Sequence, residues 1–298
     1  MDYKNCIICG NKESSSVYIE SNSFLIIHCS KCGLYYQELM DKAISLNNVY
    51  NNIYTEDPRV IKNKSYWKHR MNTHYKDIEE YHKNSGRLLD IGCSYGFLMD
   101  YFASKGWATT GIDISENAIK YAKSKGLDVH NAAIEGFNPK NKFDLIVMSN
   151  VLEHLEDPLK ALSIVKNWLS DKGIIYVRVP NVESVILFPK RQSFLGDLKP
   201  FEHFFYFSKD TLKNLFNKCG LKYNIKTDGR VDLGNFLNCF FRSKFVLKNK
   251  WQNLNFNTVN NDKKNYIFLR FIYGEVLSFL GKIPLGPNNR ELVAILSH

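Results

Sequence analysis

The middle of the chain, residues 86 to 180, alternates short apolar segments with longer amphipathic ones. The apolar segments predict strands at 87–91, 108–113, 127–130, 143–149 and 174–179, with a turn at 172–173 before the last of them. The intervening segments predict helices, one capped by Ser115 and another beginning at Asp157 and Pro158. Strands that alternate with such helices form a parallel sheet covered by helices on both faces, so we expect an α/β fold.

A glycine turn follows the first predicted strand, and a carboxylate ends the second. The turn runs from Gly92 to Gly96, and the carboxylate is Asp113. Ligands of such sheets bind at the carboxyl ends of the strands, where glycines permit close approach and a carboxylate accepts hydrogen bonds from ribose. The glycines lack the spacing of a dinucleotide-binding turn, and the chain has no G-x-x-x-x-G-K-[ST] phosphate loop. A nucleoside ligand of another kind is therefore predicted.

Four of the seven cysteines lie in two C-x-x-C-G motifs near the start of the chain. Cys6 and Cys9 form the first motif and Cys29 and Cys32 the second, with residues 10–28 between them. This spacing is typical of a zinc ribbon, in which two tight turns supply four thiolates to one tetrahedral Zn²⁺. Segments 16–20 and 24–28 predict the strands of the ribbon, and a closed Cys₄ site indicates structural zinc. The other three, Cys93, Cys219 and Cys239, are expected to be ordinary buried thiols.

The chain is basic, with 40 Lys and Arg against 30 Asp and Glu. A basic surface attracts anionic partners such as nucleic acid or nucleotide-sugars, although lysines spread along the chain also make an ordinary solvated surface. The one local concentration is the basic segment 242–250, whose contact with a substrate phosphate stays open. The start of the chain has no pattern of a secretory signal, and charges interrupt the apolar stretch 266–280. We therefore expect a cytoplasmic protein without a membrane span.

Four motifs of the central region carry a resemblance to a known family. LLDIGCSYGF, GIDIS, FDLIVMSNVLEHLEDP and YVRVPN follow one another within residues 86–220. In this order and spacing they resemble the class I S-adenosylmethionine-dependent methyltransferases. The resemblance implies S-adenosylmethionine as cofactor and a Rossmann-like, seven-stranded sheet with helices on both faces. We then expect a zinc ribbon at 1–40, a helical linker or lid at 41–85, a core formed by 86–230 and 285–298, and an acceptor lid at 231–284.

The resemblance also implies which residues contact the cofactor. Asp90, Gly92 and Gly96 match positions around its methionine part, and Asp113 matches the acidic residue that holds the ribose. The full predicted set is Asp90, Gly92, Cys93, Ser94, Gly96, Asp113, Ile114, Ala133, Ile134 and Asn150. Ser94 stands where the family usually has glycine. Glu135 follows the segment that lines the adenine, where the family often has Asp, so we expect backbone and packing to recognise the base. Four aromatic residues, Tyr50, Tyr54, Tyr66 and Trp67, either cover the cofactor or pack a surface helix.

A second motif implies the catalytic groups. Residues 200–208 resemble the E-H-x-x-Y-F-[ST] segment of the glycan-related branch, in which the histidine faces the methyl-transfer site. His203 is therefore the first candidate for general base, and His154, which follows the fourth strand, is the second. Glu202 and Tyr206 are expected to orient the base or the acceptor. The alternative for either histidine is a hydrogen-bonded place in the core.

These patterns favour methyl transfer to a sugar or nucleotide-sugar, with a phosphorylated small molecule or glycan as acceptor. O-methylation is favoured over C-methylation because the chain is shorter than sugar C-methyltransferases. One alternative is an RNA base methyltransferase whose zinc ribbon recognises RNA. Another is a non-catalytic scaffold that only binds the cofactor.

Overall fold

The computed structural model describes residues 5–11, 15–20, 24–39, 64–186, 198–199, 202–228 and 291–298. Several predictions concern residues outside these ranges: Tyr50, Tyr54, Cys239, the acceptor lid and the basic segment 242–250. The side chain of Tyr66 also lies outside the described part. Within it, no helix is long and apolar enough to cross a membrane.

Three antiparallel strands and one helix precede the central sheet. They are β1 (Ser15–Glu20), β2 (Phe24–Cys29), β3 (Tyr35–Leu39) and α1 (Lys64–Glu79). The strands lie where the ribbon was predicted, and β2 leads directly into a cysteine of the second motif. Alternate residues of β2 enter two different apolar clusters, Leu25 and Ile27 in one and Phe24 and Ile26 in the other. The small sheet is therefore buried on both faces along this strand.

The predicted alternation of strands and helices is confirmed from residue 87 onward. It comprises β4 (Arg87–Ile91), α2 (Phe97–Ala103), β5 (Ala108–Asp113), α3 (Glu116–Ser124), β6 (Val129–Asn131), β7 (Phe143–Ser149), α4 (Pro158–Lys166) and β8 (Leu169–Pro180). Ser115 caps α3 by accepting from the N–H of Ala118, and Asp157 caps α4 by accepting from that of Lys160. Short 3₁₀ helices lie at Ile134–Gly136 and Leu152–His154.

The predicted turn at 172–173 lies within the range of β8, but the pairing of β8 with β7 shifts register between Leu169 and Ile174. Leu169 at the start of β8 already pairs with Phe143 of β7. A Cβ added to Gly173 would lie 2.9 Å from the carbonyl oxygen of Phe143. The same Cβ would lie 2.8 Å from Cδ1 of Leu169, whereas residues four apart in an extended strand are about 13 Å apart. The chain therefore bends between Leu169 and Ile174, as the sequence predicts, and Gly173 permits the close packing at this bend.

The remaining elements complete both sheets. They are α5 (Glu183–Ile186), β9 (Phe205–Tyr206), α6 (Lys209–Lys218), β10 (Lys222–Asp228) and β11 (Glu291–Ser297). The central sheet has the order β10-β11-β8-β7-β4-β5-β6, parallel except at β10 and β11. The predicted seven-stranded α/β sheet is thus confirmed, and its carboxyl edge carries the loops after β4, β5 and β7.

Helices cover both faces of this sheet. Alternate residues of the central strands enter one cluster with α4 and α6 and another with α1 and α2. Helix α1 therefore belongs to the core, although residues 41–85 were expected to form a linker or lid. Its Trp67 stacks on Phe97 at the start of α2, with ring centroids 5.0 Å apart. This contact is the packing alternative foreseen for Trp67.

The ribbon does not end at residue 40 as predicted. Its sheet has the order β1-β2-β3-β9, so a strand that lies between β8 and β10 in the chain completes it. Tyr35 and Tyr36 of β3 pair with Tyr206 and Phe205 of β9. The expected separate N-terminal unit is therefore joined to the core by main-chain hydrogen bonds.

Arg178 on β8 ties three acidic residues to the carboxyl edge of the sheet. Its Nε donates to Glu291 at 2.6 Å and its Nη2 to Asp228 at 2.6 Å, while Nη1 lies 3.8 Å from Asp77 of α1. The arginine is 6% exposed. Removing one partner from a buried ionic cluster leaves uncompensated charge, which is costly.

We predict that Arg178→Met lowers the free energy of unfolding by about 3–5 kcal/mol, because Asp77, Asp228 and Glu291 lose the buried cation that they share. The more exposed Lys226 and Arg70 remain beside Asp77 and Glu291 only. Urea denaturation measures the change. Arg87→Met is the control, since Arg87 is exposed, and its expected change is within about 0.5 kcal/mol. Equal losses in the two variants would contradict the structural role of the cluster.

Candidate active site

The turn after β4 has a backbone conformation that requires glycine at two positions. Gly92 and Gly96 have φ of 74° and 78°, and Ser94 between them has φ of 48°. A Cβ on Gly92 would lie 2.6 Å from Cγ2 of Val151, and one on Gly96 would collide with the side chain of Leu127. The N–H groups of Gly92 and Cys93 donate to the carbonyl of Ile112 on β5. Ser94 adopts the left-handed backbone conformation at the position where the family usually has glycine.

Two backbone amides hold the carboxylate of Asp113 beside this turn. Ser94 donates its N–H to Oδ2 and Ser115 donates its N–H to Oδ1, both at 2.8 Å. Burial raises the pKa of Asp113 despite these bonds. Asp90 lies closer to the interior, and burial, followed by the charge of Asp113, raises its pKa well above the usual range. The fixed carboxylate suits hydrogen bonds to ribose hydroxyls, as expected for Asp113.

The other predicted cofactor residues lie around this turn with different exposures. Ile114, directly after Asp113, is 47% exposed, which is unusual for a large apolar side chain and leaves it available to a ligand. Ala133 and Ile134 begin the 3₁₀ helix after β6, and the preceding residue, Ala132, donates its N–H to the carbonyl of Asp113. The thiol of Cys93 is buried against β5 and α2, so this residue offers a ligand only its backbone.

The two candidate bases lie against each other beyond the end of β7. The rings of His154 and His203 are 4.8 Å apart at an interplanar angle of 77°. His154 donates its Nδ1–H to the carbonyl of Glu202 at 2.7 Å, because a carbonyl only accepts. The lone pair of His154 therefore lies on Nε2. The structure thus brings together two imidazoles, those of His154 and His203, that lie far apart in the chain.

Burial keeps both imidazoles neutral. It lowers the pKa of His154 to about 4 and, with the neighbouring His154 and Lys199 adding to the effect, that of His203 to about 3. A histidine with such a pKa is an unprotonated base throughout the neutral range. The burial of both rings and the hydrogen bond of His154 also fit the alternative of a hydrogen-bonded place in the core, so the assignment of a base stays a prediction.

Glu153 belongs to this site although the predicted set did not include it. Its carboxylate is 1% exposed, lies 3.8 Å from Nε2 of His154 and has no hydrogen-bond partner within the described residues. Burial raises the pKa of Glu153 to about 8. Ligand atoms of Glu153, His154 and His203 all lie within 4.8 Å of one another, a set that also suits a divalent metal. The signal in the sequence was the acidic residue directly before His154.

Three further predicted residues border the two histidines. Tyr206 lies 6.2 Å from the ring of His203, and its buried hydroxyl has no partner among the described residues. Glu202 contributes its carbonyl to His154, while its side chain lies 3.8 Å from Nζ of Lys199. Asn150 has φ of 56°, and its buried Oδ1 is likewise without a partner in the part that the structure describes. Among the described residues, the hydroxyl of Tyr206 and Oδ1 of Asn150 are thus buried polar atoms without a partner near the candidate bases.

The four cysteines of the ribbon form a second site with matching halves. In each motif the glycine N–H donates to the carbonyl of the first cysteine at 2.7 Å, and both glycines have positive φ. The Sγ atoms of Cys6 and Cys32 are 3.4 Å apart, and those of Cys9 and Cys29 are 3.5 Å apart. A tetrahedral zinc with bonds of about 2.3 Å places its sulfurs about 3.8 Å apart, so the donor set fits zinc. Hydrogen bonding from Cys32 lowers the pKa of Cys6 to about 5, which favours a thiolate.

The arrangement of the central region matches a known domain. Residues 64–225 match the family model described as Methyltransferase domain. The chain belongs to this methyltransferase family. The match covers the glycine turn, Asp113 and both histidines, so the predicted family is confirmed.

Relatives with names match a shorter part of the chain. The ubiquinone biosynthesis O-methyltransferase of Aromatoleum aromaticum is 31% identical over 103 residues, which are 32% of this chain and 44% of that protein. The protein of the same name from Caulobacter vibrioides is 36% identical over 105 residues, 32% of this chain and 40% of its own. The chain therefore spans less than half the length of these curated relatives.

Solved structures share the fold. A SAM dependent methyltransferase from Archaeoglobus fulgidus superposes with a TM-score of 0.51 at 20% identity, covering 79% of this chain and 94% of its own. The plantazolicin methyltransferase BpumL in complex with SAH gives 0.50 at 19% identity, covering 84% and 94%. These likenesses confirm the predicted Rossmann-like methyltransferase architecture.

We predict that Gly92→Ala weakens binding of S-adenosylhomocysteine at least about tenfold, because the new Cβ collides with Val151 and strains the turn. Isothermal titration calorimetry measures the affinity. Gly126→Ala is a matched control, since Gly126 has φ of 78° but nothing within 4 Å of an added Cβ. The alanine in this control variant costs only the strain of the left-handed backbone conformation, about 1–2 kcal/mol. Equal affinities of the two variants would contradict the assignment of the turn.

We also predict that Glu153→Gln stabilises the protein more at pH 8 than at pH 5. Between the unfolded pKa of 4.5 and the folded pKa of about 8, only the folded chain holds the proton. Stability that depends on this proton therefore falls as the pH rises through that window. The gain in the free energy of unfolding over wild type, measured by thermal melts, should be larger at pH 8 than at pH 5 by on the order of 3 kcal/mol.

The control for this prediction is Glu156→Gln, because Glu156 is exposed and lies three residues away. Its effect should be the same at both pH values. A pH-independent effect of Glu153→Gln would show that the Glu153 carboxyl is not held neutral.

Proposed function

We propose that this protein transfers a methyl group from S-adenosylmethionine to a hydroxyl group of a sugar or nucleotide-sugar. The observation that carries the proposal is the pair of buried, neutral imidazoles at the carboxyl edge of the sheet, beside the glycine turn. Val151, which contacts Gly92, lies only three residues from His154, so turn and bases share one site. S-adenosylmethionine, when bound, supplies a methyl group already activated on a sulfonium.

The residues of the chain hold the cofactor and accept a proton. Asp113 is proposed to bind the ribose hydroxyls of the cofactor, and the turn from Gly92 to Gly96 is proposed to bind its methionine part. Ile114, Ala133 and Ile134 are proposed to line the adenine. Asn150 offers Oδ1, an acceptor without a hydrogen-bond partner among the described residues, toward the same edge. The fixed carboxylate of Asp113 and the strained turn support this assignment, because both are set before a ligand binds.

Proton transfer is what a hydroxyl acceptor requires of the protein. The hydroxyl proton of the acceptor would pass to an imidazole nitrogen as its oxygen takes the methyl group that the bound cofactor would supply from its sulfonium. We propose His203 as the base, with His154 beside it as the second candidate. Tyr206 and Glu202 would orient the acceptor, and the buried hydroxyl of Tyr206, which has no hydrogen-bond partner in the part of the chain that the structure describes, supports its part. A general base typically contributes about 10²–10⁴-fold.

A hydroxyl acceptor is also supported by the named relatives, which are O-methyltransferases. Their match covers about a third of this chain. It therefore supports the type of atom that is methylated and does not identify the acceptor molecule. The proposal of a sugar or nucleotide-sugar acceptor rests on two features of the sequence. The segment at 202–208 resembles that of the glycan-related branch, and the excess of Lys and Arg suits a phosphorylated substrate. The Cys₄ site is proposed to hold a structural zinc ion, and the matching halves of the ribbon support this.

The test uses S-adenosylmethionine carrying a labelled methyl group. The full chain is incubated with nucleotide-sugars, with glycans and with RNA, and the labelled product is hydrolysed and identified. The proposal predicts an O-methyl sugar. Label confined to a base of RNA, with binding that weakens steeply as salt rises, would instead support the RNA alternative. No label in any pool, with normal cofactor binding, would support a scaffold.

We predict that His203→Ala lowers kcat about 10²-fold or more while the affinity for S-adenosylhomocysteine stays within twofold. Single-turnover transfer and calorimetry measure the two quantities. His130→Ala is the control, because this histidine is exposed at the end of β6. Unchanged turnover of the His203 variant would refute its role as base and leave His154 as the candidate.

We further predict that kcat/KM has no acidic limb near pH 6.5. Since burial lowers the pKa of both histidines to about 3 and 4, the base form is complete well below neutrality. The rate at pH 5.5 should therefore equal that at pH 7.5 within about twofold, whereas an ordinary histidine would lose about tenfold. A midpoint near 6.5 would show that neither buried imidazole is the base.

A further inference from the structure

The peptide groups on both sides of Phe204 join the ribbon to the histidine site. The carbonyl of Phe204 accepts from the N–H of Gln37 on β3 at 2.7 Å, and its N–H donates to the carbonyl of Glu153 at 2.8 Å. His203 directly precedes Phe204, and its own N–H donates to the carbonyl of Lys199. The main chain that carries His203 is therefore held between a ribbon strand and the residue before His154.

The cysteine motifs determine where β3 lies. The second motif forms the turn between β2 and β3, closed by bonds from Gly33 to Cys29 and from Cys29 to Leu34, of 2.7 and 2.9 Å. The first motif approaches it from the start of the chain and supplies the other two sulfurs. A metal that binds all four sulfurs would therefore fix the end of β3 nearest β9.

Side-chain packing continues the same connection. Cys6 and Cys29 lie in one buried cluster with Phe204 and Phe205, and this cluster includes Leu152 of the 3₁₀ helix that ends at His154. Gly33 lies close to α6, since a Cβ there would be 3.9 Å from Cγ2 of Thr211. Close-packed interiors transmit displacements because they have little free volume.

We infer that the metal site of the ribbon is a positioning element for His203: occupancy of the four cysteines sets the place of β3, and β3 sets the backbone of the His203 segment. The inference rests on the proposed function for its consequence in catalysis. The cofactor turn should be spared, because its hydrogen bonds run to Ile112 and to Asp113, which both lie on β5, away from the ribbon sheet. Loss of metal is therefore expected to change the histidine site and leave cofactor binding in place.

The test follows the histidine rings directly. The full chain is labelled with ¹³C at Cε1 of its eight histidines, and the signals of His154 and His203 are assigned with the variants His154→Gln and His203→Gln. Spectra are recorded with zinc bound and after its removal by a chelator, and binding of S-adenosylhomocysteine is measured in both states. Exposed His130 serves as an internal reference.

The inference predicts that metal removal shifts or broadens the His203 signal beyond its linewidth, leaves the His130 signal unchanged and alters S-adenosylhomocysteine affinity less than twofold. Readdition of zinc restores the signal. An unchanged His203 signal would overturn the inference, and so would loss of cofactor binding together with the metal, which indicates general unfolding. If the zinc-loaded protein fails to bind S-adenosylhomocysteine, the proposed function is wrong. The His203 signals with and without zinc then still test the inference by themselves.

A second pair of variants separates the strand contact from the metal. Gln37→Pro removes the N–H that donates to Phe204, and Gln37→Ala keeps it and serves as the matched control. Because N–H and C=O of one strand residue point to the same neighbour, the proline leaves the pairing of β2 with β3 in place. We expect Gln37→Pro to retain zinc and yet to move the His203 signal as metal removal does, whereas Gln37→Ala leaves it in place. A zinc-loaded Gln37→Pro protein with an unmoved His203 signal would overturn the inference.

Discussion

The pairing of β3 with β9 is the interaction on which the arrangement of the molecule depends. It is short, yet it brings the N-terminal cysteine motifs against a segment that follows the fifth parallel strand. Through Phe204 it continues to Glu153, so the ribbon, the two histidines and the end of β7 share one hydrogen-bonded path. Ribbon and methyltransferase core are for this reason one unit, and their contact is placed where the chemistry is proposed to occur.

Desolvation is the dominant physical effect at this place. It keeps His154 and His203 unprotonated and Glu153 neutral, because charged forms lose more hydration than neutral ones on burial. A hydroxyl acceptor needs a neutral base, and such burial supplies it over a wide pH range. The same burial raises the pKa of Asp90 and Asp113, whose carboxylates lie close together beside the glycine turn.

The central sheet was predictable because each signal in it is local. A capped helix at Ser115, a glycine after β4 and an apolar run at β7 each show in neighbouring residues. Gly173 was a local signal of the bend after Leu169, whereas the register shift at this bend depends on the partner strand. The cysteine spacing likewise predicted two matching turns.

Contacts between distant segments were not predictable in this way. Nothing in the sequence near Tyr206 indicates that it completes the sheet of the ribbon, since β9 is too short to have a pattern of its own. His154 and His203 were each found as single candidates, but their ring contact depends on the tertiary fold. The burial of Glu153 likewise depends on the tertiary fold, since an acidic residue near a strand end usually lies in solvent.

Amide hydrogen exchange in the full, zinc-loaded chain tests most directly whether ribbon and core are one unit. The amides of Gln37 and Phe204 report on the contact between the two parts, and that of Val147 on the central sheet. If they form one cooperative unit, all three amides exchange with the same opening free energy within about 1 kcal/mol. Exchange at Gln37 and Phe204 that is orders of magnitude faster than at Val147 would show that the ribbon opens by itself and would contradict the account.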